Sequence, residues 1–259
     1  MFINTQFLKL FYTALLTGMP TLTYNPINKN ILHAPFTVNK YSTYINYKLN
    51  DYQIDAINNY LKEKNNNLIL MPSSLINDKK KEYILSINIY NCSSPIFDFI
   101  TNKPSTRCEI NIYVVDKNQE KGTLIMDYAS NILSLDPENL FKSPDDVYFS
   151  YNNEYILGNA KNENFVLNFY YNHLINNFQF NKLNSNLIKF TDKIYYPNGF
   201  YDKLYYDSSL IHNTIVLCND FNIYFKYLNI EFTDVDSVFY FKHKINFVGG
   251  LWYNLFNEN

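Results

Sequence analysis

One segment sets the fold of this chain: Ser105-Thr-Arg-Cys-Glu-Ile-Asn-Ile-Tyr-Val-Val-Asp-Lys-Asn-Gln-Glu-Lys-Gly-Thr-Leu-Ile-Met-Asp-Tyr-Ala-Ser-Asn131. It predicts two β-strands, at about 108–115 and 122–128, because two runs rich in β-branched and aromatic residues flank a polar turn that ends at Gly122. We expect these to be the two central strands of the fold, with the remaining elements arranged around them.

The first of these strands alternates polar and apolar side chains. Glu109, Asn111 and Tyr113 project from one face, and aliphatic residues such as Ile110 and Ile112 project from the other. In an ordinary half-buried sheet the polar face meets water. In a barrel that encloses a ligand cavity the polar face lines the interior. Both interpretations fit the sequence, and the second makes this face a candidate binding surface.

Arg107 stands just before this strand and is the only arginine in a chain that has 21 lysines. Such a bias is typical of AT-rich coding, which supplies lysine wherever a plain positive charge is enough. An arginine in this background suggests a need for the planar guanidinium, which can bind a carboxylate or a phosphate through two parallel hydrogen bonds. The alternative is a surface arginine without a role.

The composition favours a single β-rich domain over residues 1–259. Hydrophobic residues make up 47% of the 259 residues and charged residues 18%, so a large core can form. The 25 tyrosines and 21 phenylalanines suit pleated sheets, and no linker rich in Pro, Gly or Ser divides the chain.

Charge and cysteine content exclude several classes of function. The net charge of −2 provides no basic surface for a phosphate backbone, so we expect no nucleic-acid partner. The three cysteines are far apart, which favours a reducing, cytoplasmic compartment. The four histidines are scattered, and Asp145-Asp146 has no third oxygen ligand at a fixed spacing. We therefore predict no metal and no cofactor.

The apolar run over residues 6–20 is too short to span a bilayer, and Lys9 interrupts it, unlike the apolar region of a signal peptide. Its spacing favours an amphipathic segment within residues 1–20 that docks on the domain or on a neighbour, with a targeting segment as the alternative.

Further elements follow from local patterns. A helix over about 52–64 should be capped by Asn50 or Asp51, and a short helix over about 137–142 should follow Asp136-Pro137. We also predict strands at about the following positions: 41–49, 83–90, 147–151, 154–158, 164–171, 177–182, 214–218, 221–232 and 236–247.

This order of elements, with the segments Glu109-Ile-Asn-Ile-Tyr-Val-Val115 and Met126-Asp-Tyr-Ala-Ser-Asn131, resembles the acetoacetate decarboxylase-like superfamily, especially an uncharacterised branch of it. The match covers about residues 50–150. The resemblance implies a cone-shaped, mostly antiparallel β-barrel with a small-molecule cavity.

Decarboxylation in that superfamily uses a lysine that forms a Schiff base and a second lysine that lowers its pKa. The corresponding position here carries Pro144-Asp145-Asp146, with Lys142 one turn earlier, and a carboxylate cannot form an imine. Ser86 stands where the resemblance implies a first glutamate, and Glu109 matches the second. The sequence therefore does not predict a Schiff-base decarboxylase.

We expect a small-molecule-binding barrel in which Glu109 is the catalytic candidate, accepting a hydrogen bond or a proton, and in which Arg107 holds an anionic, keto-acid-like ligand. Asp127 joins them as a carboxylate in an apolar strand that must be paired if it is buried. The predicted ligand-binding residues are Arg107, Asn111, Tyr113, Asp127 and Ser86.

Two alternatives stay open. The Arg107–Glu109 pair could be an exposed ion pair without function, and the chain could be a structural or interaction protein, in a homo-oligomer or larger assembly.

Overall fold

The computed structural model describes residues 37–64, 68–72, 82–93, 105–131, 143–151, 155–172, 181–182, 193–196, 201–205, 214–217, 222–241, 245–246 and 248–249. Within them the chain forms one α-helix and 17 β-strands. The helix is α1 (Asp51–Glu63), and the strands are β1 (Thr37–Lys48), β2 (Ile69–Leu70), β3 (Ile84–Ser93), β4 (Ser105–Val115), β5 (Lys121–Ser130), β6 (Asp146–Tyr151), β7 (Tyr155–Lys161), β8 (Phe165–Asn172), β9 (Asn181–Lys182), β10 (Lys193–Tyr195), β11 (Tyr201–Tyr205), β12 (Thr214–Leu217), β13 (Asn222–Tyr227), β14 (Ile230–Phe232), β15 (Val235–Phe241), β16 (Ile245–Asn246) and β17 (Val248–Gly249).

The predicted central hairpin is confirmed as β4 and β5, which pair antiparallel. Its turn is closed by Asp116, whose Oδ1 accepts hydrogen bonds from the backbone N–H groups of Asn118 and Glu120, while Gln119 adopts a φ of 63°. The pairing shifts between Ile110 and Asn111, so that β5 contains one extra residue, Met126. Because of this bulge, the residues of β5 that follow Met126 project to the opposite face from the one that an unbroken alternation from the turn would give them.

Helix α1 has the expected start. Asn50 Oδ1 accepts from the backbone N–H of Gln53, and Gln53 Oε1 accepts from the backbone N–H of Asn50, which forms a capping box. Ile57 and Leu61 are buried on one side of the helix. Tyr60 donates from its hydroxyl to the carbonyl of Met126, and this bond ties the helix to the bulge in β5.

The larger sheet has twelve strands with the path β17-β11-β10-β5-β4-β3-β1-β15-β12-β9, to which β16 adds on β1 and β2 on β4. The pairing of β10 with β5 is parallel, and the other recorded pairings are antiparallel. Among the described strands, no pairing joins the two ends of this path. The fold is thus mainly β, as predicted.

The smaller sheet has five antiparallel strands in the order β14-β13-β8-β7-β6. The sequence pattern predicted one strand over 221–232, and this prediction is wrong. The chain reverses there at Leu228 and Asn229, whose φ angles of 48° and 63° form a two-residue hairpin turn between β13 and β14. Leucine is uncommon at a positive φ, so the only turn signal at these two positions was the weak one of Asn229.

The main core lies between the aliphatic face of β1, β3, β4 and β5 and the inner face of the smaller sheet. Aromatic rings fill much of it, with Phe225 packed between Tyr47 and Phe232 at centroid distances of 5.4 and 5.1 Å. Gly158 on β7 leaves room for the ring of Phe169, since a Cβ there would lie 2.4 Å from that ring. Aromatic side chains therefore serve as sheet core, as the composition predicted.

Some predictions lie outside the described residues: the amphipathic segment within 1–20, the helix over 137–142 and the position of Lys142. In the part of the chain that the structure describes, no helix is both long enough and apolar enough to cross a membrane.

Candidate functional site

Cross-strand register places polar side chains in rows on the second face of the larger sheet. Direct partners in a sheet project to the same side, so each row takes one residue from β1, β3 and β4 and a fourth from β15 or β5. One row consists of Ser237, Asn46, Ser86 and Asn111. The next row consists of Tyr44, Asn88, Glu109 and Tyr128, and a third contains Ser42, Tyr90, Arg107 and Ser130. The predicted residues Ser86, Arg107, Glu109 and Asn111 therefore share one surface.

Glu109 is the centre of a charged cluster on this surface. Its Oε1 accepts from Arg107 Nε at 2.5 Å and from the hydroxyl of Tyr90 at 2.9 Å. The side chains of Arg107 and Glu109 are only 13% and 11% exposed, so the interpretation as an exposed ion pair is wrong. The guanidinium carbon of Arg107 also lies 4.1 Å from the ring centroid of Tyr128, a distance that fits a cation–π contact.

Tyr44 and Asn88 extend this cluster toward β1. Asn88 Nδ2 donates to the Tyr44 hydroxyl at 3.0 Å. Burial, followed by the negative charge of Glu109 and then by Tyr113, raises the pKa of Tyr44 well above its ordinary value. The phenol of Tyr44 therefore stays protonated at neutral pH, and it remains able to donate a hydrogen bond.

The row that contains Asn46, Ser86 and Asn111 is buried and incompletely bonded. These residues are 0%, 2% and 5% exposed. Within the described part of the chain, Asn46 Oδ1, Ser86 Oγ and Asn111 Oδ1 have no hydrogen-bond partner, and neither does Asn88 Oδ1 in the adjacent row. An unbonded buried polar atom costs about 1–3 kcal/mol. Several unbonded oxygens on one surface are typical of a site where a ligand or water donates the hydrogen bonds.

Tyr113 lies further along the same face of β4. It is half-buried, and burial raises the pKa of its hydroxyl. Tyr113 also contributes to the raised pKa of Tyr44, which places the two hydroxyls in one electrostatic environment. The predicted polar face formed by Glu109, Asn111 and Tyr113 is therefore turned away from bulk water for most of its length.

Asp127 is not brought together with the other predicted site residues. Because of the bulge it pairs with Ile110, whose side chain belongs to the opposite face. Its carboxylate accepts from Asn162 Nδ2 at 2.9 Å and from Asn164 Nδ2 at 2.7 Å, in the turn between β7 and β8. The contacts of Asp127 thus connect the two sheets.

Asp145 lies at the end of β5, beside the charged cluster. Its backbone N–H donates to the carbonyl of Ser130 at 2.7 Å, and its Oδ2 accepts from the backbone N–H of Ser130 at 3.2 Å. Ser130 is the direct partner of Arg107 across the hairpin. The resemblance implies a lysine pair at the segment Pro144-Asp145-Asp146. In this chain Asp145 of that segment bonds to β5, the strand next to the one that carries Arg107.

The sequence interpretation missed Tyr44, Asn46, Asn88 and Tyr90 as site residues. A signal was present, because the alternating patterns of β1 and β3 place these residues on a single face of each strand. Nothing local shows that those faces coincide with that of Glu109, since this depends on register between strands that are distant in sequence.

Comparison with solved structures identifies the fold. An acetoacetate decarboxylase from Legionella pneumophila subsp. pneumophila str. Philadelphia 1 gives a TM-score of 0.50 at 10% identity, covering 91% of this chain and 96% of that one. The enduracididine biosynthesis enzyme MppR, complexed with pyruvate, gives a TM-score of 0.51 at 8% identity, covering 88% and 94%. No family model and no curated protein matches the chain. At such low identities the likeness shows the fold alone, which is acetoacetate decarboxylase-like, as the sequence resemblance implied.

Proposed function

We propose that this protein binds a small polar molecule on the buried polar face of β1, β3 and β4. The observation that carries the proposal is the burial of an ion pair, Arg107–Glu109, beside four amide and hydroxyl oxygens that have no partner among the described residues. Buried charges and unbonded polar atoms lower stability, so a protein retains them where they have a function. A non-catalytic interaction protein would place its polar groups on an accessible surface instead.

The ligand expected from the sequence is a small anion that resembles a keto acid. Arg107 supports an anionic group in this surface, because a planar guanidinium suits carboxylates and phosphates better than an ammonium group does. The positions of Tyr44 and Tyr90 support polar recognition next to the charge, since phenols both donate and accept hydrogen bonds. The pyruvate complex of MppR makes pyruvate a natural first probe.

We propose further that the chemistry does not pass through a Schiff base. The segment Pro144-Asp145-Asp146 stands where the resemblance implies the lysine pair, and no carboxylate can replace an amine in forming an imine. Glu109 is the group placed to accept a proton from a ligand, provided that the ligand reaches its carboxylate. If the protein is an enzyme, proton transfer at Glu109 is the step that its own residues support.

The surrounding architecture is part of the same proposal. We propose that the larger sheet closes into a cone-shaped barrel within a single domain, so that the polar face becomes its lining. The buried, free thiol of Cys108 supports a reducing, cytoplasmic compartment. Assignment to the uncharacterised branch of the superfamily, and assembly into a homo-oligomer or larger complex, are further proposals that follow from the sequence.

The first test is binding of pyruvate, measured by calorimetry and by the rise in melting temperature. We expect Glu109→Gln to change the affinity at least fivefold, because it removes the charge that organises Arg107 and Tyr90. Glu231→Gln is the matched control, since Glu231 is exposed on β14 of the smaller sheet. Equal affinity in all three proteins would rule out this surface as the binding site.

A second test addresses the Schiff base. Borohydride reduces an imine to a stable amine, so a protein that forms an imine with pyruvate gains mass on treatment with both reagents. We expect the mass of the intact protein to stay unchanged, whereas a covalent adduct on any lysine would contradict the proposed chemistry.

A further inference from the structure

The row formed by Asn46, Ser86 and Asn111 has a specific hydrogen-bonding demand. Directly paired residues on neighbouring strands follow each other at about 5 Å, so their polar atoms form a line across β1, β3 and β4. All three side chains are more than nine-tenths buried.

The orientation of the Asn46 amide follows from a count of protons. The Ser237 hydroxyl has one proton, which it donates to Asp236 Oδ2 at 3.0 Å. Ser237 Oγ therefore acts as an acceptor toward Asn46, and Asn46 Nδ2 donates to it at 3.2 Å. The Nδ2 group of Asn46 is thus fixed toward β15, and the remaining atom, Oδ1, can only accept.

The same demand recurs along the row and beside it. Asn111 Oδ1 and Asn88 Oδ1 are amide oxygens without a partner in the described chain, and Asn88 already uses its Nδ2 on Tyr44. Ser86 Oγ is also unbonded and can donate or accept. With Asn46 Oδ1 included, three of these four oxygens can only accept hydrogen bonds, so a molecule that satisfies them must supply hydrogen-bond donors.

An ionised keto acid has no hydrogen-bond donor for these oxygens. Pyruvate at neutral pH carries a carboxylate and a carbonyl, which only accept hydrogen bonds. A hydroxyl group donates one hydrogen bond and accepts others, and two hydroxyls on adjacent carbons present two donors.

We propose that the ligand of this site is a hydroxylated carboxylic acid, with hydroxyl groups that donate to the row formed by Asn46, Ser86 and Asn111; this inference rests on the proposed function. The carboxylate lies toward Arg107, and the hydroxyls lie toward Asn46 and Asn111. The unbonded oxygens thereby select hydroxy acids over keto acids of the same length.

The test is a series of three-carbon acids with no, one and two hydroxyls: pyruvate, lactate and glycerate. We expect the dissociation constant to fall about 5- to 10-fold for each hydroxyl, the value of one added hydrogen bond. Equal affinity for all three acids, or tighter binding of pyruvate, overturns the inference and leaves the proposed function standing. Absence of binding by all three overturns the proposed function as well.

Two variants tie the selectivity to the row. Asn111→Leu and Ser86→Ala should each lose at least fivefold of the preference for glycerate over pyruvate, measured as the ratio of the two dissociation constants in the same variant. Asn168→Leu is the control for Asn111→Leu, because Asn168 is exposed on the smaller sheet. Retention of the full preference in both site variants overturns the inference.

The melting temperature separates a ligand site from a structural role. Replacement of an unbonded buried amide by leucine removes a cost, so the unliganded Asn111→Leu protein should melt no lower than the parent. A fall of several degrees in both Asn111→Leu and Ser86→Ala would show that the protein itself satisfies these atoms, and it would overturn the inference.

Discussion

At the residue scale, the geometry around Arg107 distinguishes a guanidinium from an ammonium group. Nε binds Glu109 while the plane of the guanidinium faces the ring of Tyr128. A lysine ammonium is a compact charge that cannot keep a flat stacking contact and a directed bond from the chain at the same time. The single arginine of a lysine-rich chain thus lies where its shape is used.

We therefore expect Arg107→Lys to lower the free energy of unfolding by about 1–3 kcal/mol, because it weakens a buried hydrogen bond to a charged group. Urea denaturation measures this change. Lys121→Arg on the exposed start of β5 is the matched control and should alter stability by less than about 0.5 kcal/mol. A loss equally small in Arg107→Lys would mean that any cation serves at position 107.

At the same scale, Asp127 and Glu109 differ in the groups that surround their carboxylates. Both are carboxylates on the central hairpin, but Asp127 is bonded to the side chains of Asn162 and Asn164 and Glu109 to Arg107 and Tyr90. Neutral amide donors fix Asp127 as a link between two sheets. The carboxylate of Glu109 is instead bonded to a guanidinium and a phenol on the polar face of β4.

At the scale of single elements, the turn between β13 and β14 contains local strain. Leu228 has a φ of 48°, in the left-handed region where a side chain crowds its own backbone. Its backbone N–H donates to the carbonyl of Asn164, which holds the turn against the β7–β8 connection. The side chain is 38% exposed, so little packing compensates for the strain.

We expect Leu228→Asn to raise the free energy of unfolding by about 1 kcal/mol, because asparagine tolerates this backbone conformation and retains the N–H. Val235→Asn is the control, since Val235 is equally exposed at 38% and is not among the described residues with a positive φ. The control should lower stability slightly through reduced β-propensity. A Leu228→Asn protein that is less stable than the parent in urea would contradict the assigned turn.

At the scale of the whole molecule, the buried tyrosines couple stability to alkaline pH. Burial raises the pKa values of Tyr44, Tyr47 and Tyr113 above 10.0, and that of the Cys108 thiol above 9.0. These groups are neutral when protonated. The unfolded chain therefore loses their protons at a lower pH than the folded protein does. The contribution of Cys108 is complete below about pH 8 and that of the tyrosines below about pH 9, and both decrease as the pH rises further.

We predict that the free energy of unfolding begins to fall above about pH 8, where Cys108 ionises in the unfolded chain, and falls more steeply once the tyrosines follow, by up to about 1.4 kcal/mol per pH unit for each group. Urea denaturation over this range measures the fall, and ultraviolet absorbance of phenolate shows whether the buried tyrosines ionise only on unfolding. Tyr113→Phe removes one titrating group and should give a shallower decline. An unchanged slope in that variant would exclude Tyr113 as a contributor.

The sequence by itself determined the elements that depend on neighbours in the chain. The alternation after Arg107 predicted β4, and the reciprocal bonds of Asn50 and Gln53 explain why α1 begins where local capping rules place it. The order of these elements also indicated the acetoacetate decarboxylase-like fold. The sequence identified Glu109 and Asn111 as candidate site residues because the alternation of their strand places them on one face. Arg107 was identified as the only arginine of the chain, and Ser86 through the family resemblance.

Only the tertiary structure decided which faces meet and which residues they combine. Asn46 joins Ser86 and Asn111 through pairing between strands that are distant in sequence, and the extra residue Met126 moves Asp127 to the other side of the sheet. Register and bulges arise from the packing of the complete sheet, since a shift of one residue exchanges its two faces. Local patterns establish that a strand has a polar face, whereas the long-range pairing determines what that face encloses.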